Sequence, residues 1–320
     1  MQHNITRTNQ PAAPLTTPLD KLTALVEETT PTNTKRAYAA DWQHFMKWCA
    51  DHQLQALPAD IQTVVAYLLD CAETYKLATI QRRLSSIGKA HRVAHQPDPT
   101  KNETIHLTMK ALRRKLHQAQ TQKAPAVTEI IQVMVSTLPN TLIGRRDRAL
   151  LLLGFAGAFR RSELVGLDIA DLRFVAGGLE VTVRKSKTDQ EGEGITKGIP
   201  MGLNAHTCPV RVVRTWIESS GLVSGALFRP VDRHGNMKQG RLSSDSVARI
   251  VKRCAESAGL DPVDFAGHSL RAGLATAAAA AGVSERSIME QTGHKSQAMV
   301  RRYIRRGSLF SDNAAGKVGL

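Results

Sequence analysis

LEVTVRKSKTDQEGEGITKGIPM, residues 179–201, is the stretch whose reading decides the fold. Leu179, Val181 and Val183 alternate with polar neighbours, which is the period of a half-buried strand, and the run breaks over residues 189–194. A β-hairpin with a glycine-containing turn is expected there. On both sides of it the apolar spacing turns helical. The apolar segment RDRALLLLGFAGAF precedes it and a helix starts at Thr128. Further helices are expected at about 209–219, 243–258, 269–281 and 284–292. The C-terminal part therefore reads as helices around a small antiparallel sheet, α+β in class.

Upstream of Thr128 only helical periods occur. Tyr38, Trp42, Phe45, Met46 and Cys49 form one stripe, and a second helix carries Ile61, Val64, Val65 and Leu68 with Pro58 near its first turn. A third places Ile80, Leu84, Ile87 and His91 on one face, with Arg82, Arg83, Ser86 and Lys89 pointing largely away. A fourth has Ile105, Met109, Leu112 and Leu116 inside and Lys110, Arg113, Arg114 and Lys115 elsewhere. Residues 21–120 thus read as an all-helical bundle, followed by a polar, proline-containing linker near 118–127 and a second domain over 121–306. Residues 1–20, rich in Thr, Pro, Asn and Gln, are expected to be disordered, and 307–320 form a short tail. The whole chain is mainly α.

Charge narrows the function. The 320 residues hold 43 Lys+Arg against 28 Asp+Glu, a net charge of +15. Both parts are basic: 16 against 10 up to Lys123, 27 against 18 beyond it. That excludes a neutral enzyme with one cationic tail and points to nucleic acid. A solvated face explains one basic helix. Two helices with mainly positive charge fit phosphate contacts better, with Arg82, Arg83, Lys89, Lys110 and Arg113 as candidates. The longest apolar run, 274–282, is mostly alanine and too short for a membrane span. No secretion signal opens the chain, and Cys49, Cys71, Cys208 and Cys254 lie far apart, as in reduced, buried thiols of a cytoplasmic protein.

Cutting a phosphodiester needs a nucleophile, cations for the charge on the non-bridging oxygens, and an acid for the departing oxygen. The second domain offers each. GAFRRSELVGL sets Arg160 at a helix terminus with Glu163 three residues on; FAGHSLRAG sets His268 and Arg271 on one helical face. TGHKSQAMVRRYIRR carries His294 and Tyr303, one of only 4 tyrosines, with Arg301, Arg302, Arg305 and Arg306 around it. Four crowded cations are tolerable beside a polyanion, and they favour ionisation of a phenol. Lys185 and Lys187 stand in the hairpin turn. Taken singly, each cluster has a plainer reading: an ion pair, a capping histidine, a packing tyrosine, a surface lysine.

Their order is another matter. Arg, hairpin Lys, His-x-x-Arg, Gly-His and Tyr resemble the tyrosine recombinase (phage integrase) family over roughly residues 30–306, within it most of all the Cre-type enzymes. The resemblance implies that Arg160 and Arg271 hold the scissile phosphate, a task for forked donors whose charge does not titrate away. It implies Lys187 as general acid, with Lys185 the second candidate, and His268 as acid/base. It further implies His294 as a hydrogen-bonding support, Glu163 as an orienting carboxylate and Tyr303 as the nucleophile that forms a 3′-phosphotyrosyl intermediate. Cre-type members can have tryptophan at the position of His294; a histidine there resembles the Xer-type and most integrases. Were the register to slip by one, Arg161 would replace Arg160; the spacing to Glu163 favours Arg160.

Arg301 and Arg302 join the DNA-contact candidates. The implied partners are double-stranded DNA with inverted-repeat sites and three more copies of the chain, in a homotetramer that exchanges strands through a Holliday junction. No metal, ATP or other cofactor is implied, and Leu309 and Phe310 of the tail are expected either to dock on a neighbouring protomer or to belong to a frayed terminus. A type IB topoisomerase-like or telomere-resolving enzyme, and a non-catalytic DNA-binding protein on the same fold, stay open as alternatives.

Overall fold

The computed structural model describes residues 32–116, 123–184, 194–294 and 296–307, with side chains from residue 34 to 303 within those limits. Residues 1–20, Lys185 and Lys187, the side chains of Arg305 and Arg306, and the tail with Leu309 and Phe310 lie outside them. Contacts between Cα atoms divide the chain into two units, Met1–Gln120 and Thr121–Leu320.

The first unit holds α1 (Thr32–Asp51), α2 (Ile61–Thr74), α3 (Leu77–Val93) and α4 (Glu103–Lys115), with a 3₁₀ turn at Pro99–Lys101. α2 starts at Ile61, after Pro58, because Asp60 caps it: its carboxylate accepts the Thr63 N–H at 2.6 Å. Phe45, Val64, Tyr67, Leu68, Ile80, Ile87 and Ile105 are completely buried and form the core. Burial of each contributes roughly 1.5–3 kcal/mol. Trp48 faces this core where Met46 was expected; Met46 is 40% exposed.

The basic face of α3 also differs from its periodicity. Arg83 is 6% exposed and Ser86 2%. The Arg83 guanidinium lies 3.7 Å from the centroid of the Tyr75 ring and donates to Cys71 Sγ at 3.2 Å. The cause is Asp41 of α1, a carboxylate 3% exposed, which lies 2.6 Å from Arg82 and 3.8 Å from Arg83. A buried charge must be paired, so the two arginines turn towards it. Arg83 is therefore a core residue of this unit and is withdrawn as a DNA contact. Arg82 keeps half of its side chain in solvent, Lys89 is half-buried beside the Tyr38 ring, and Lys110 and Arg113 are exposed.

The second unit is built on α6 (Leu142–Ala156), whose Leu150, Leu151 and Leu153 are completely buried. Around it stand α5 (Thr128–Ser136), α7 (Arg161–Gly166), α8 (Pro209–Ser220), α9 (Ser244–Ser257), α10 (Ser269–Ala280), α11 (Glu285–Thr292) and α12 (Gln297–Gly307). The sheet is an antiparallel meander of β1 (Leu172–Val175), β2 (Gly178–Val183) and β3 (Ile195–Pro200) in that order. Leu179, Val181 and Val183 all point inward, opposite Ile199, Lys197 and Ile195. β1 was not foreseen; four residues alternating between half-buried and exposed carry little periodicity. Gly273 lets α10 meet the chain before α5, since a Cβ there would lie 2.0 Å from the Ala126 carbonyl oxygen. The four cysteines are buried and unbridged, and no helix among the described residues is long and apolar enough to cross a membrane.

Candidate active site

A strained turn presents the first arginine. α6 ends at Ala156, and Ala158 then takes a φ of +46°, a left-handed conformation that costs a side-chain-bearing residue about 1–3 kcal/mol. Three successive carbonyls of this turn are held by side chains from elsewhere. Gln291 Nε2 donates to Ala156 O at 2.8 Å, Lys197 Nζ to Gly157 O at 2.7 Å, and Arg271 Nη1 to Ala158 O at 2.9 Å. Arg160 emerges from this turn as the N-cap of α7.

Glu163, three residues into α7, accepts from the Arg160 N–H at 2.8 Å and from its guanidinium at 2.5 Å. Burial pushes the Glu163 pKa up. The Arg160 hydrogen bonds and the charges of Arg160 and Lys197 outweigh it, so the carboxyl settles below its ordinary value and stays ionised.

Arg271 sits in the first turn of α10, directly after the N-cap His268, and is 2% exposed. Its Nη2 is buried and has no hydrogen-bond partner among the described residues. Burial and the charge of Arg160 bring its pKa down to about 10. A forked cation with an unmet buried donor, next to a second arginine, is a receptor for an oxyanion.

The phenol arrives on α12. Ala275 and Ala279 of α10 are small, so α12 packs closely there through Val300 and Tyr303, with Ile288 of α11 closing the cluster. This contact brings Tyr303 Oη to 2.9 Å from His268 Nε2 in the same chain. His268 is exposed to solvent on one side; desolvation by the protein on the other, then Arg271 and Arg160, hold its pKa below the ordinary value. A neutral imidazole there is able to accept a phenolic proton. Arg301 lies 3.3 Å from Glu285 on the first turn of α11 and remains exposed, as does Arg302.

His294 is 8% exposed, and its ring lies 5.8 Å from that of Tyr303. Burial, then the charges of Arg271 and Arg160, depress its pKa to about 4. Its Nδ1 lies 2.7 Å from the hydroxyl of Thr292, which in turn donates to Ile288 O at 2.6 Å. Arg160, Glu163, His268, Arg271, His294 and Tyr303 are thus gathered in one unit. Sequence reasoning missed Gln291, Thr292 and Lys197. For Lys197 a signal existed: it takes the inward register between Ile195 and Ile199, where a charge is costly unless it has a task.

A phenol, a neutral histidine and two guanidiniums meeting in a mainly helical unit define a phosphoryl-transfer site of the tyrosine type. The model of the phage integrase family matches residues 125–308, and that of the phage integrase N-terminal SAM-like domain matches 22–96. The chain belongs to the phage integrase family and is a tyrosine site-specific recombinase. An integrase/recombinase xerD homolog of Selenomonas ruminantium is 40% identical over 297 residues, 92% of this chain and 87% of that protein. The recombinase cre of Escherichia phage P1 is 26% identical over 279 residues, 81% of this chain and 79% of that protein. A solved lambda integrase dimer bound to a COC′ core site shares the fold at a TM-score of 0.60, with 19% identity, 90% of this chain and 76% of that one. The Tn1549 transposon integrase in complex with transposon right end DNA does so at 0.61, with 16% identity, 88% and 92%.

Proposed function

We propose that the protein cuts and rejoins duplex DNA at sites of inverted-repeat sequence, with Tyr303 as nucleophile. The observation that carries the reading is the 2.9 Å contact between Tyr303 Oη and His268 Nε2 beside the unmet donor of Arg271. The tyrosine oxygen bonds to phosphorus as the bond from phosphorus to the 5′-oxygen breaks. His268 takes the phenolic proton, and a hairpin lysine, Lys187 or Lys185, gives one to the departing oxygen. Arg160 and Arg271 hold the non-bridging oxygens, where charge grows in the transition state. The 3′-phosphotyrosyl bond keeps the phosphodiester energy, so the reverse attack by a 5′-hydroxyl reseals a strand without ATP. Exchange between two sites then passes through a Holliday junction in a homotetramer. Lys89, Lys110, Arg113, Arg302 and the exposed edge of Arg82 supply phosphate contacts, which set affinity more than sequence choice.

The test is a nicked suicide substrate whose cut strand loses a short fragment, trapping the covalent species. Wild-type protein accumulates a denaturant-resistant protein–DNA adduct; absence of adduct at every site tried defeats the reading, and relaxation of any supercoiled plasmid without site preference redirects it to topoisomerase-type chemistry.

Thr292 carries a smaller prediction. Its hydroxyl holds His294 by one ring nitrogen, so Thr292→Val leaves the imidazole free to choose tautomer and tilt. Losing one such bond is worth about 1 kcal/mol. The single-turnover cleavage rate is expected to fall about 5-fold with DNA affinity unchanged, as read by gel quantitation of adduct against time.

A further inference from the structure

Lys197 is absent from the reaction scheme above, yet it sits at its centre. It is 5% exposed, and two of its three ammonium hydrogens are committed to backbone carbonyls: Gly157 O and Gln291 O, each at 2.7 Å. Its ammonium lies 5.0 Å from the centroid of the Phe159 ring. Gly157 belongs to the turn that presents Arg160. Gln291 precedes Thr292, Gly293 and His294, and its side chain reaches back to Ala156 O at 2.8 Å. One cation therefore joins the two pieces of backbone from which Arg160 and His294 project.

We infer that Lys197 is a positioning residue for strand cleavage: it pins the 157–160 turn to the end of α11 and so fixes the spacing of the groups around the phosphate. The inference rests on the cleavage reading given above. Two of its hydrogens are held by carbonyls, its strand partner is the buried Val181, and the Ala158 conformation it helps to hold is unfavourable unless tied. Burial brings its pKa down to about 8, with Glu163 opposing and Arg271 and Arg160 assisting that shift. A buried cation kept at this cost, among charges of its own sign, is there for geometry.

Positioning and proton donation predict different chemistry. A substrate with sulfur in place of the bridging 5′-oxygen leaves as a thiolate and needs no acid. Lys197→Met, Lys197→Arg, Tyr303→Phe and wild type are compared in single-turnover adduct formation on the oxygen and sulfur substrates. Lys197→Met is expected to cleave both substrates roughly 10²-fold more slowly than wild type, the effect of a small misplacement of reacting groups. Half-saturating DNA concentration stays within about 3-fold, since the phosphate contacts on the surface are untouched. Lys197→Arg, which keeps charge and donors, recovers at least about 5-fold of the loss. A Lys197→Met rate within about 3-fold of wild type overturns the inference. So does recovery on the sulfur substrate alone, which would make Lys197 the acid, or a defect that saturating DNA abolishes. Should Lys197→Met fail to melt cooperatively, Lys197→Gln, which keeps an uncharged N–H₂ donor group, is read in the same way. Failure of wild type to form adduct defeats the cleavage reading itself and is seen separately.

Discussion

Tyr303→Phe is expected to remove covalent capture of DNA entirely, with the single-turnover rate down by at least about 10⁴-fold, or about 5.5 kcal/mol of barrier. The ring is retained, so its packing against Ala275, Ala279 and Val300 survives, and only the oxygen is lost. Gel-shift affinity is expected within about 3-fold of wild type, because that affinity comes from dispersed phosphate contacts. The same oxygen gives the reaction its acid limb. His268 must be neutral to accept the phenolic proton, and its pKa lies below the ordinary 6.5. Cleavage by the free enzyme is therefore level through neutral pH and falls only as acidity protonates His268 below that value. A fall that begins above pH 7 would show that the base is a different group.

Arg271→Lys is the second large effect. The substitution keeps a cation but loses the fork: one ammonium cannot serve Ala158 O and two phosphate oxygens with the geometry of a guanidinium. Loss of a preorganised donor to the developing charge costs about 10²–10³-fold, and the upper end is expected at a site this buried. The stability readout separates catalysis from folding. Burial lowers the Arg271 pKa to about 10, so its charged form is disfavoured by the fold; the stability it withholds returns only as pH rises above 10. Below pH 10 the burden is constant. Arg271→Lys should thus melt within a few degrees of wild type at neutral pH while cutting poorly. A large drop in melting temperature would assign the defect to folding.

Much of this is legible in the amino-acid sequence. Leu179, Val181 and Val183 announced β2, and the helices from α8 to α11 lie within a residue or two of their periodic segments, since long apolar stripes leave little freedom. The spacing of Arg160 to Glu163 and of His268 to Arg271 is local, so a helix turn converts it directly into proximity. What stayed hidden depends on partners distant in sequence. Arg83 looked solvated because Asp41, which buries it, lies on another helix. The Arg301 ion pair was hidden in the same way, because Glu285 becomes its neighbour only when α12 folds back over α11. Lys197 was passed over for the opposite reason: a lysine in a hairpin is expected outside, and only the strand register turns it inward.

The placement of α12 on its own α10 has a further consequence. Because the phenol lies against the histidine of the same polypeptide, no copy has to borrow its attacking group from another. Two crippled proteins, one lacking the tyrosine oxygen and one lacking the second arginine, should remain as inert when mixed as when apart. Whatever a neighbouring molecule contributes in an assembly, it need not be the attacking oxygen.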